Sequence, residues 1–288
     1  MEVKKTKRQT DKKQKKGVVR ITPAVKNLLI INVLCFAAYY VFRSSLGINL
    51  NDILGLHYLT ANSFGLWQLV TFMFMHANIS HIFFNMFALW MFGTLIENVL
   101  GTKRFALFYM ACGVGSGFIQ ELAVAVDIHP MMTTINELIN NWDSQSFREF
   151  YGSQVVAVSQ ECQSLILKFQ DNYNNLIATE PEAAASAART FLMQYQEMYV
   201  DAQNTVGASG AVFGILLATG MIFPNMSMYI MFIPIPIKAK WIVLGYGVLE
   251  LIGGINGMGY DNVAHWAHLG GMLFAFLLLK LWKIERYN

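Results

Sequence analysis

The stretch that decides the fold is NTVGASGAVFGILLATGMIF, residues 204–223, in which small residues pass directly into an apolar segment long enough to cross a bilayer. A helix needs about 20 predominantly apolar residues to span a hydrocarbon core. Five further runs of that kind lie at 27–46, 81–100, 105–126, 239–256 and 263–282. The chain of 288 residues is 55% hydrophobic and only 14% charged, outside the range of ordinary soluble domains. The runs predict an all-α polytopic membrane protein with six transmembrane helices. The apolar segment after the basic start is too long for the h-region of a signal peptide and has no evident cleavage site, so it reads as the first span. Cys35, Cys112 and Cys162 form neither a disulfide framework nor a CxxC metal signature.

Charge sets the expected orientation. Ten of the 21 Lys and Arg lie in residues 1–26, a run suited to an anionic cytoplasmic leaflet and not, in this context, to nucleic acid. With the N-terminus inside, seventeen basic residues fall on the inner side and four on the outer, as the positive-inside rule favours. Both termini are therefore expected in the cytoplasm, with spans two, four and six starting in the outer leaflet. The expected organisation is a basic tail at 1–24, spans one to three with a membrane-associated first loop at 25–126, an extracytoplasmic insertion at 127–203, spans four to six at 204–283 and a short tail at 284–288. The insertion holds ten of the eighteen acidic residues, and its apolar positions recur at helical spacing, which predicts two or three amphipathic helices. It either packs on its own apolar faces or acts as a lid or substrate-docking module. The segment at 223–240 contains three prolines and is expected to be a loop or short ribbon.

Polar residues inside spans are costly, so they face a partner or a water-filled cavity. Span two opens with HANISHIFFN, which holds His76, His81 and Asn85, the last two four apart on one helix face. Span four opens with Gly207, Ala208, Ser209 and Gly210, and span six with His265, His268, Gly270 and Gly271. Counting about 1.5 Å per residue from the span starts brings Asn85, Ser209 and His268 to one level, roughly 6–8 Å below the outer surface. A nucleophile, a base and amide or imidazole donors at one depth are the parts needed for acyl transfer by an activated serine. Gly207, Gly210, Gly214, Gly270 and Gly271 remove the side chains that would hold spans four and six apart. A soluble-hydrolase elbow does not fit, because position 211 is Ala211 and no strand is predicted before the serine. Asp261 lies seven residues before His268, and no acidic third member stands out, so a Ser-His dyad is expected. Glu97 reads as a cap or ion pair near the inner end of span two, and Glu250 in span five as a structural group that is neutral, paired or facing a cavity.

These residues resemble the rhomboid intramembrane serine proteases over roughly 25–126 and 204–283. GASGAVFG resembles the family's serine motif, AHLGG its histidine motif and HANISHIFFN its oxyanion-side motif. The resemblance implies Ser209 as nucleophile, His268 as general base, and His81, Asn85 and the Ser209 backbone N–H as the oxyanion hole. It further implies stacking of Phe213 on the catalytic histidine and a supporting role for His76, Gly207, Gly210, Gly270 and Gly271. His265 is the alternative base. In the first loop the family's Trp-Arg pair reads Trp67-Gln68. The implied activity is endoproteolysis within or beside transmembrane segments of membrane-protein substrates, in the lipid bilayer, with no metal or cofactor, the site opening to the extracytoplasmic side of a bacterial inner membrane. The other readings are a non-catalytic rhomboid-like factor that binds or routes membrane proteins, and a transporter or metal channel using His76, His81, His265 and His268.

Overall fold

The computed structural model describes residues 21–229, 235–256 and 263–287. Most of the basic tail, the centre of the proline-rich segment and Asp261 lie outside the described residues. Helix α1 (Pro23–Leu46) begins with Pro23, whose ring presets the helical φ. Thr22 supplies no side-chain cap; instead both Glu97 oxygens accept first-turn amides, from Ala24 and Val25, at 2.9 Å each. Glu97 therefore caps the first span from the second.

The first loop carries α2 (Leu50–Leu54), β1 (Leu56–His57) and α3 (Gln68–Thr71). Its anchor is the buried Gln68, which donates to the Ser63 and Ile53 carbonyls at 2.8 and 3.2 Å and accepts the His57 N–H at 3.2 Å. The Trp67 indole also donates to the Ile53 carbonyl, at 3.0 Å. A neutral amide thus ties down the loop where the family pattern has arginine. Span two is α4 (Ile79–Ala88) and α5 (Thr94–Leu100), joined by a wider π-type turn at Leu89–Gly93.

Helix α6 (Thr102–Asn140) runs 39 residues without interruption, so the helix that carries span three continues about 20 Å past residue 126 into the expected insertion. Its extension joins α7 (Ser144–Gln154), α8 (Gln160–Leu176) and α9 (Pro181–Asp201). Asp143 and Ser159 cap α7 and α8 by accepting the N–H groups of Ser146 and Cys162. The four segments close on their own core, including Ile135, Phe147, Phe169, Phe191 and Tyr195.

Strand β2 (Asn204–Thr205) pairs antiparallel with β1, Leu56 opposite Thr205 and His57 opposite Asn204. Gly207 then takes φ 136°, open to glycine, and donates its N–H to the Phe72 carbonyl at 2.9 Å. Only after this turn does α10 (Ser209–Ile222) begin, five residues later than the apolar run. The predicted ribbon is β3 (Ser227–Tyr229) against β4 (Pro236–Lys238), followed by α11 (Ala239–Asn256) and α12 (His265–Leu281).

The membrane part is a bundle centred on α6, α10 and α12. Helix α10 is apolar all round and buried accordingly, through Ala211, Ile215, Ala218 and Ile222. Glycine makes the central contacts possible. A Cβ on Gly270 would lie 2.7 Å from Cβ of Ile119, one on Gly214 would lie 2.8 Å from Sγ of Cys112, and one on Gly271 would collide with the Gly210 carbonyl. The outer helices α1 and α11 expose apolar side chains such as Val33, Leu34, Leu244 and Leu249, which suits contact with lipid tails. Among the described residues, Pro23–Leu46, Ile79–Leu100 and Thr102–Asn140 are long and apolar enough to cross a membrane, while α10 and α12 are shorter apolar helices. The protein is an integral membrane protein of helical, polytopic architecture.

Candidate active site

The late start of α10 shapes the site. Ser209 is the first helical residue, so its backbone N–H is among the first-turn amides that have no partner within the helix. Non-helical backbone at membrane depth is tolerated where it lines a cavity. Here residues 204–206 border a cleft of about 1070 Å³ that also takes in Ser209 and His268.

His268 lies in the first turn of α12, with its Nε2 2.8 Å from Oγ of Ser209. Gly271, one turn further on, meets the Gly210 backbone, and that backbone approach brings a short serine side chain within reach of the ring. Phe213, one turn after Ser209, stacks on His268 with ring centroids 4.1 Å apart and planes 8° from parallel. Serine holds the ring by its edge and phenylalanine by its face.

Span two supplies the other wall. Asn78 caps α4 by accepting the His81 N–H at 2.8 Å, which fixes the direction in which His81 and Asn85 leave the helix. A Cβ on Gly207 would lie 2.8 Å from Nε2 of His81, so the imidazole packs against the glycine turn that leads to the serine. Asn85 is buried, faces the cleft, and its Nδ2 has no hydrogen-bond partner among the described residues. An unspent amide donor beside a serine can meet a developing oxyanion. His76 is fully buried and packs edge-on against His81, ring centroids 5.1 Å apart.

His265 does not reach the serine; its Nδ1 bonds to Oε2 of Glu250 at 2.6 Å. The same oxygen lies 2.9 Å from Nδ1 of His268, but off the N–H direction, so Nδ1 has no aligned hydrogen bond there. Glu250 is therefore a paired group, as expected of a carboxyl at this depth, and its partners are both histidines of α12. Two further polar residues, beyond those the sequence motifs point to, join this region. Gln120 accepts the Ala267 N–H at 3.1 Å and lines the cleft, and Glu121 accepts the Leu59 N–H at 3.0 Å, tying α6 to the first loop. Both are polar groups inside span three, and the rule that made Asn85 conspicuous applies equally to them.

The outer part of the cleft is built by the insertion and the extension of α6, through Tyr199, Gln203 and Asp127. Burial, and then the Asp127 carboxylate, holds the Tyr199 hydroxyl above its usual range. The insertion is thus part of the cleft wall as well as a unit with its own core.

A family model described as Rhomboid domain matches residues 63–129 and 183–283, skipping the segment that holds the end of α6, α7 and α8. The chain is 44% identical over 48 residues to the rhomboid protease GluP of Bacillus subtilis, covering 17% of this chain and 10% of that protein. It is 32% identical over 85 residues to the mitochondrial RHOMBOID-like protein 6 of Arabidopsis thaliana, 26% of this chain and 28% of that one. An uncharacterized mitochondrial rhomboid protein of Schizosaccharomyces pombe is 25% identical over 223 residues, 75% of this chain and 52% of its own length. The chain spans about half or less of the length of these relatives. Since the family match takes in spans two to six together with the first-loop, serine and histidine segments, the chain belongs to the rhomboid family.

Proposed function

We propose that the protein is an intramembrane serine endopeptidase that cleaves within or beside transmembrane segments of other membrane proteins. The observation that carries this reading is the 2.8 Å contact between Oγ of Ser209 and Nε2 of His268, with the ring face held by Phe213. In this mechanism Ser209 attacks the scissile carbonyl while its proton passes to Nε2. The tetrahedral oxyanion takes hydrogen bonds from the Ser209 N–H, His81 and Asn85. His268 returns the proton to the leaving amine, and a water activated by the same ring then hydrolyses the acyl-enzyme. A helical substrate shields its carbonyls, so the segment to be cut must unwind locally before it enters the cleft, and the cleft admits the water.

The division into membrane core and extracytoplasmic insertion at 127–203 belongs to the same reading, as do cytoplasmic termini and a bacterial inner membrane. The basic tail and the loop charges support that orientation. In this arrangement Gly207, Gly210, Gly270 and Gly271 set the helix approach, and His76 backs His81.

The test is labelling of the purified protein with a fluorophosphonate, together with cleavage of a model transmembrane substrate in proteoliposomes. Ser209→Ala and His268→Ala are expected to lose at least about 1,000-fold in turnover. Cleavage retained in Ser209→Ala overturns the mechanism, and cleavage lost in His265→Ala but retained in His268→Ala reassigns the base.

A further inference from the structure

We propose that Glu250 is a positioning residue for His268, so that the apparent dyad works as a Ser-His-Glu chain; the inference rests on the serine-protease reading above. The three groups lie in sequence. Oγ of Ser209 is 2.8 Å from Nε2 of His268, and Oε2 of Glu250 is 2.9 Å from Nδ1 on the far side of the same ring.

Chemistry asks for a group in that position. If Nε2 is to accept the serine proton, the neutral ring must carry its own proton on Nδ1, and the tautomer is set by what Nδ1 faces. When Nε2 takes the serine proton the ring becomes an imidazolium, and a carboxylate beside Nδ1 stabilises that charge without itself gaining or losing a proton. Phe213 fixes the plane of the ring, but an aromatic face cannot choose between the two nitrogens.

The placement of Glu250 is built into α11. The buried residues of this helix, Ala239, Ile242, Val243, Glu250 and Gly254, follow one helical stripe, while its other faces expose Leu244, Val248, Leu249 and Ile252. Glu250 is the charged residue of the buried stripe. His265 takes the aligned hydrogen bond to Oε2 at 2.6 Å and so holds that oxygen next to His268. The off-axis approach to Nδ1 of His268 means that Glu250 acts there through charge and proximity.

A carboxyl that merely fastens α11 to α12 would share these distances, so the test separates the two roles. Wild type, Glu250→Gln, Glu250→Met and Glu250→Asp are compared in proteoliposomes for cleavage of a model transmembrane substrate, for fluorophosphonate labelling without substrate, and for thermal unfolding. Glu250→Gln keeps the shape and removes the charge; Glu250→Met fills the site with a group that a membrane helix accepts readily. Both are expected to lower kcat by about 10- to 100-fold with KM within twofold, and to slow labelling by the same factor while still folding. Glu250→Asp is expected to recover part of the loss. Unchanged kcat in either neutral variant, a rise in KM alone, or unfolding of both variants assigns Glu250 to helix packing and overturns the proposal. If Ser209→Ala is inactive while the Glu250 variants match wild type, the protease reading stands and only the positioning role falls.

Discussion

Two cores hold this molecule; both bury aromatic rings, but their closest helix contacts are made differently. Where α6, α10 and α12 cross most closely, glycine decides the contact: Gly210, Gly214, Gly270 and Gly271 lie against Ser116, Cys112, Ile119 and backbone. In the insertion the contact residues are large, with Phe147, Phe169, Tyr173, Phe191 and Tyr195 stacked or edge-on, and the Phe169 and Phe191 centroids 4.3 Å apart. In lipid, burying an apolar side chain between helices gains little over leaving it among acyl chains, so close backbone approach and polar contacts decide association. In water, removing aromatic area from solvent is itself the driving force. With the insertion in water, as proposed, the chain uses each device where its solvent rewards it, and the Ser209–His268 pair belongs to the core whose glycines leave no room for added bulk.

The sharpest way to break this contrast is Gly271→Ala. The new methyl would overlap the Gly210 carbonyl, so the backbones of α10 and α12 must separate. Ser209 and His268 sit within a turn of that contact, and a displacement of about 1 Å can cost on the order of 100-fold in rate. Loss of labelling and cleavage by at least that factor is expected. Activity within threefold of wild type would mean that the helices are not held at this spacing in the bilayer.

Next in size is Asn85→Ala. Removing one preorganised oxyanion donor typically costs about 100- to 1,000-fold in kcat. Asn85 has no other hydrogen-bond partner for its Nδ2 among the described residues, so the variant leaves no broken structural bond behind. The expected signature is a fall in kcat with an unchanged unfolding temperature; a fall in both recasts Asn85 as interhelical glue.

Phe191→Ala reverses the pattern. Deleting a buried aromatic ring is expected to destabilise the insertion by about 3–5 kcal/mol, read as a lower urea midpoint for its helices. Fluorophosphonate labelling of Ser209, which depends on the membrane core, should change less than threefold. Cleavage of a full substrate is expected to fall further than labelling, because Tyr199 on α9, the helix that carries Phe191, lines the cleft together with Gln203 just beyond the helix end. Equal losses in both assays would show that the two cores are one cooperative unit.

The contrast also explains what the sequence made visible. Hydrocarbon tolerates so few polar side chains that Ser209, His268 and Asn85 stood out against their runs, and all three line one cleft. The apolar lengths likewise made the helical membrane fold legible. What could not be read were features that depend on partners distant in the chain. The pairing of 204–205 with 56–57 delays the start of α10 to Ser209, and nothing near residue 204 announces it. The carry-through of α6 past Pro130 to Asn140 depends on the insertion core that Ile135 and Leu138 join. That Glu250 must be neutral, paired or facing a cavity is legible from its place in span five, but its partners are not, because they lie on α12, fifteen and eighteen residues away in sequence.

The smallest effect isolates the principle most cleanly, because it repeats the first substitution elsewhere. Gly152 lies in α7 of the insertion with no heavy atom within 4 Å of an added Cβ, and Gly245 on α11 is equally open. At such helical positions glycine carries only its entropic disadvantage, so Gly152→Ala should stabilise the insertion by about 0.5–1 kcal/mol. It should raise the urea midpoint and leave labelling unaltered. Gly245→Ala, on a helix that faces lipid with most of its side chains, should leave both labelling and the thermal transition within error of wild type. Glycine to alanine would then abolish, improve or leave untouched the same protein according to what faces the missing methyl. If Gly245→Ala were as damaging as Gly271→Ala, the open side of α11 would have to be an interface of its own, and close packing in the membrane would extend beyond the three central helices.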